Sequence, residues 1–108
     1  MKNAVWISFD LGVQADYEGM YAWLDDHQAK ECGDSLAFLN YEYSGLLLES
    51  LTDDLRSSVE ITKRTRIYVI YRDTETKKMK GSFIFGGRKA PPWSGFSVTV
   101  GSADTDET

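Results

Sequence analysis

Apolar side chains recur along the chain with two periods, about two and about 3.6 residues, and the switches between them mark its elements. Val5-Trp6-Ile7-Ser8-Phe9 is dense in β-branched and aromatic residues and predicts a buried strand that stops at the acid Asp10. Residues 11–15 connect it to a helix. Asp16 stands where a cap belongs, because a carboxylate there can accept unpaired backbone N–H groups. Tyr17, Met20, Tyr21 and Leu24 follow at helical spacing and predict one apolar face. Gly19 inside this helix costs about 1 kcal/mol against alanine, and Asp25 and Asp26 at its far end oppose the helix dipole.

Further on, Lys30–Cys32, the turn Gly33-Asp34 and Ser35–Tyr43 predict a short strand, a tight turn and a longer strand. Ser44-Gly45 breaks the pattern and offers a cap. Leu48, Leu51, Leu55 and Val59 then predict a second helix over 46–59. Arg66–Tyr71 is the clearest strand in the chain. Residues 73–78 form a polar turn, and Met79–Phe85 is another strand, with Gly81 placed to make a bulge. After the loop 86–92, Phe96–Val100 predicts a last short strand, and the small, polar, acidic tail 102–108 predicts disorder.

Strand, helix, strand, strand, helix, strand is the order of the split βαβ, or ferredoxin-like, plan. The expected fold is therefore α+β, a ferredoxin-like βαββαβ sandwich with an extra C-terminal β-hairpin, in one domain spanning 1–101. Both helices would cover one sheet face. Tyr68, Trp6 or Phe85 would lie on the other, and an uncovered face of that kind favours a homodimer through the sheet.

Composition narrows the class. The chain has 108 residues, of which 42% are hydrophobic and 13% aromatic, enough for one core without staples. A single cysteine, Cys32, excludes an internal disulfide and suits a reducing compartment. No signal-peptide pattern opens the chain, and no run approaches the ~20 apolar residues of a membrane helix. The expected location is cytoplasmic.

The net charge of −5 hides a segregation. Residues 1–60 carry three basic and twelve acidic side chains, residues 61–90 nine basic and two acidic, and residues 91–108 three acidic and none basic. Overall acidity opposes indiscriminate nucleic-acid binding, while a local basic stretch leaves room for an anionic partner or for an acidic surface of another copy.

Several chemistries are excluded. There is no Gly-rich phosphate loop, no Cys pair and no His pair, which argues against structural zinc. His27 and Cys32 read as a surface histidine and a packed thiol. Asp10 is the candidate catalytic and metal-ligating residue. A carboxylate at the end of an apolar strand reaches a groove from an anchored backbone, and two such acids, one per subunit, would share Mg²⁺ or Mn²⁺, polarise a phosphodiester and activate water. The simpler reading is an acid that ends the strand or pairs with a base.

Ser8-Phe9-Asp10-Leu11, the helix opening Asp16-Tyr17-Glu18-Gly19-Met20-Tyr21 and the strand entry Asp34-Ser35-Leu36-Ala37-Phe38 resemble a superfamily of small ferredoxin-like dimers. It includes the small CRISPR adaptation subunit, virulence-associated protein D and short SinR-type proteins. The resemblance covers residues 4–72 and is one of pattern. It implies that the first strand ends in an aspartate, here Asp10, tied to metal-dependent nuclease activity in some members and dispensable in others that act as scaffolds. The chain departs from the family in its acidity and in its loop 86–93.

Candidate nucleic-acid contacts are Lys63, Arg64 and Arg66 before one strand, Lys77, Lys78 and Lys80 around the next turn, then Arg88 and Lys89, with Trp93 as a stacking surface. The alternative is that these lysines protect exposed strands from edge-to-edge aggregation and that Trp93 packs as a cover on the sheet. Three functional readings follow: a noncatalytic dimeric interaction module of a defence or mobile-element system, a metal-dependent endonuclease using paired Asp10 residues, and a protein or small-ligand binder unrelated to nucleic acid. No cofactor is expected outside the nuclease reading.

Overall fold

A computed structural model describes residues 1–97 of the chain. The elements are β1 (Lys2–Asp10), α1 (Tyr17–Asp26), β2 (Lys30–Gly33), β3 (Leu36–Glu42), α2 (Leu47–Ser58), β4 (Arg66–Arg72) and β5 (Met79–Phe85). The strands form one antiparallel sheet in the order β2-β3-β1-β4-β5. The α+β class expected from the patterning is what the chain adopts.

Strand β1 is central because it is the most apolar on its inward side. Val5, Ile7 and Phe9 are buried, and Ile7 lies opposite Ala37 of β3 and Val69 of β4. Met20 and Trp23 of α1 and Leu51 and Leu55 of α2 close over that face. Each such side chain contributes about 1.5–3 kcal/mol by leaving water.

Helix α1 starts as expected. The Asp16 carboxylate accepts the Gly19 N–H at 2.9 Å, and its second oxygen accepts the Glu60 N–H at 2.9 Å, beyond the end of α2. The apolar face differs by one position, since Trp23 is buried and Tyr21 is 53% exposed. Trp23 stacks on His27, with ring centroids 4.0 Å apart. Helix α2 begins at Leu47 with Leu46 as its cap residue and no side-chain cap bond, so neither Ser44 nor Gly45 serves as the cap.

The register of β5 corrects a second expectation. Its irregularity falls opposite the Ile67/Tyr68 step, so Ile84 is the additional residue and Gly81 is not the bulge. Gly81 sits opposite Ile70 and lies against the Tyr68 ring. One inserted residue reverses the facing of everything beyond it. Phe85 thereby turns inward and is 6% exposed, while Phe83 takes the outward place beside Tyr68.

The helix-free face carries a band across four strands: Phe38 beside Trp6 beside Ile70, and Leu36, Ser8, Tyr68 and Phe83 in the next row. Trp6 and Phe38 are in ring contact at 4.9 Å between centroids, and Tyr68 and Phe83 at 4.8 Å. Trp93 does not cover this face, for it is 72% exposed. The strand expected at Phe96–Val100 lies largely outside the described residues, as does the tail 102–108. Phe96 closes a turn, its N–H donating to the Trp93 carbonyl at 3.0 Å. No helix among the described residues is long and apolar enough to cross a membrane.

Candidate functional site

The end of β1, the start of β4 and the exit of β5 meet at one end of the open sheet face. There they form a shallow groove of about 270 Å³ lined by Ser8, Asp10, Arg66, Tyr68, Phe83 and Arg88. The register explains the meeting, because Asp10 pairs across to Arg66 and Ser8 to Tyr68. The Asp10 carboxylate lies 3.4 Å from the Arg66 guanidinium. A second guanidinium nitrogen of Arg66 donates to the Gly87 carbonyl at 3.2 Å, which fixes that side chain between two acceptors.

Arg88 reaches the groove because the chain turns sharply at Gly86, where φ is +70°. A side chain there would collide with the Thr65 carbonyl and with Arg66. The Arg88 guanidinium carbon lies 5.6 Å from the Phe83 ring centre and 5.8 Å from that of Tyr68, and that of Arg66 lies 5.8 Å from the Phe83 ring centre. Contacts of a cation with a ring face contribute about 0.5–1 kcal/mol at exposed sites.

Electrostatically the groove is a poor fit for a divalent cation. It holds one carboxylate against two guanidiniums, and no group of three His, Cys, Asp or Glu side chains suited to a metal occurs among the described residues. Half of the Asp10 side chain is exposed, and one of its oxygens faces Arg66.

The basic stretch does not form one surface. Lys63 and Arg64 precede β4 at the groove's end of the sheet but do not line the groove. Lys77, Lys78 and Lys80 stand at the opposite end, about 20 Å away along a seven-residue strand. Lys80 is held 3.0 Å from Asp73. Lys89 and Trp93 are exposed and outside the groove. Of the basic residues singled out from sequence, Arg66 and Arg88 are the two that line the groove.

A second polar cluster escaped sequence reasoning. His27 Nδ1 hydrogen-bonds the Trp23 carbonyl at 2.7 Å, and its Nε2 lies 3.4 Å from an Asp54 carboxylate oxygen that also accepts the Tyr41 hydroxyl at 3.0 Å. Burial first, and then the neighbouring Asp54 carboxylate, push the Tyr41 hydroxyl up from its ordinary value. The buried Trp23 indole N–H has no partner among the described residues. His27 is thus a packed, half-buried side chain and Cys32 an exposed thiol, the reverse of the expectation for both. The only hint in the sequence was aromatic density around residues 17–23 and 38–43.

Comparison of the chain with protein-family models, with characterised proteins and with solved structures found no match.

Proposed function

We propose that this protein is a noncatalytic module that self-associates through the helix-free face of its sheet. The observation that carries the reading is the ordered band Phe38, Trp6, Ile70, Leu36, Tyr68 and Phe83, which no described segment of the chain covers. Contiguous apolar patches on a face rimmed by polar residues mark interaction surfaces. A single face packs on its own copy about a two-fold axis and closes without leaving a sticky end. On this reading the order β2-β3-β1-β4 is the ferredoxin-like arrangement, with β5 as the added strand, and the likeness to small ferredoxin-like dimers extends to assembly.

Catalysis by Asp10 is disfavoured by its surroundings. A nucleophilic or metal-bound water beside Asp10 would have to form next to the Arg66 and Arg88 guanidiniums, which repel a divalent cation.

Sedimentation or light scattering should give a solution mass twice the 12.2 kDa of the chain, and Trp6→Glu and Ile70→Glu should each return it to one chain. A monomeric parent protein at high micromolar concentration overturns the self-association. Mg²⁺- or Mn²⁺-supported cleavage of RNA or DNA that Asp10→Ala abolishes overturns the noncatalytic assignment.

A further inference from the structure

The groove at the end of the open face shares Ser8, Tyr68 and Phe83 with the rows of the apolar band, but its two arginines and one carboxylate give it a chemistry of its own. Two guanidiniums gather around one aromatic ring, that of Phe83, although like charges repel. Asp10 offsets one of them, through Arg66. No acceptor among the described residues takes the N–H donors of Arg88, so the groove keeps one excess positive charge and a set of undirected donors. Ser8 adds a hydroxyl. Planar guanidinium forks suit the oxygens of phosphate and carboxylate groups.

We propose that this groove binds a single phosphate group of a small phosphomonoester, with Arg88 as the primary ligand, Arg66 as the prepositioned second and Ser8 donating a hydrogen bond. The carboxylate of Asp10 narrows the class further. Its second oxygen has no donor among the described residues, so it accepts from a hydroxyl on the ligand, as a sugar phosphate or nucleoside monophosphate carries. The ligand is small because the positive charge is local. Lys77 and Lys78 lie at the far end of the sheet, Lys63 and Arg64 do not line the groove, and about 270 Å³ accommodates one phosphate and part of its sugar, not a tracked backbone.

The test is an NMR titration of the full chain with inorganic phosphate, adenosine 5′-monophosphate and adenosine, read at the backbone amides of Ser8, Phe83 and Arg88. Saturable shifts at these amides with the two phosphates and none with adenosine are expected. Arg88→Gln, an exposed change that leaves the core untouched, should weaken binding about tenfold, and Lys77→Gln with Lys78→Gln should leave it unchanged. Asp10→Asn should strengthen inorganic phosphate several-fold by removing a repelling charge, the opposite of its effect on a cation site. The assignment is overturned by the absence of saturable phosphate binding, by equal affinity in Arg88→Gln, or by weaker phosphate binding in Asp10→Asn. An oligonucleotide without a terminal phosphate that displaces the monophosphate at these amides also overturns it, in favour of a backbone track.

Discussion

Asp16 shows how much one carboxylate can organise when the backbone brings two donors to it. It caps α1 through the Gly19 N–H and holds the chain leaving α2 through the Glu60 N–H, so helix ends 44 residues apart share one acceptor. The Glu60 bond, and then the Gly19 bond, favour the ionised form and hold its carboxyl below the ordinary 3.8. A lowered carboxyl contributes stability that is fully present above its unfolded value and is lost as pH falls through the folded one. Urea unfolding midpoints should therefore fall on acidification below about pH 4, and Asp16→Asn should flatten that part of the profile. Asp73 adds to the same window. Lys80 chiefly, with the Thr76 hydroxyl, lowers it to about 2, a value that carboxyl-carbon NMR titration should return and that Lys80→Gln should raise. Its partner is raised in turn, so the Lys80 contribution persists through neutral pH and disappears only above its ordinary 10.5. At Tyr41 the expected change is in the interior. Tyr41→Phe should cost about 1 kcal/mol in urea unfolding, because Asp54 and Ser50 lose the hydroxyl they share.

At the scale of the elements, a local preference and a tertiary contact pull in opposite directions at Gly19. Helix propensity alone makes Gly19→Ala stabilising by about 1 kcal/mol. In the fold a Cβ at this position would meet the Asp16 carboxylate and, at 2.9 Å, the Ser58 carbonyl at the end of α2. The substitution should destabilise, and denaturant unfolding reads the sign directly. Strand β5 offers a paired contrast. The register shift at Ile84 sends Phe85 into the core and Phe83 outward. Phe85→Ala should therefore cost about 3–5 kcal/mol, and Phe83→Ala a fraction of that, its effect appearing instead in the solution mass and in phosphate affinity. A regular strand without the shift would put both rings on one face, and the two substitutions would then give similar results.

For the whole molecule, the division of charge matters more than its total. The chain is acidic overall, yet its basic residues all but concentrate in one stretch of sequence. Folding separates that stretch by the length of β4, leaving a two-arginine groove at one end of the sheet and a turn of lysines, one of them paired with Asp73, at the other. Association through the apolar band should consequently resist added salt, since screening acts on exposed charges and hardly on apolar contacts. Measuring the solution mass across a salt series checks this; dissociation on adding salt would point to charge pairing between copies instead.

Much of the architecture was legible in the residues. The inward alternation of Val5, Ile7 and Phe9, the Asp16 cap and the Ile67–Val69 core of β4 rest on local periodicity and local hydrogen bonding, and these need no knowledge of the rest of the chain. Asp10 as a strand-end acid was legible in the same way. Its environment was not, because Arg66 and Arg88 reach it only through antiparallel pairing and the turn at Gly86. The same holds for the inward turn of Trp23, the opposite facing of Phe83 and Phe85, the exposure of Trp93 and the His27–Asp54–Tyr41 contact. Each depends on register or on contact between residues distant in sequence, and a period-two pattern cannot count an inserted residue. Local order was written in the spacing of side chains; which charges and rings became neighbours was decided by how the strands paired.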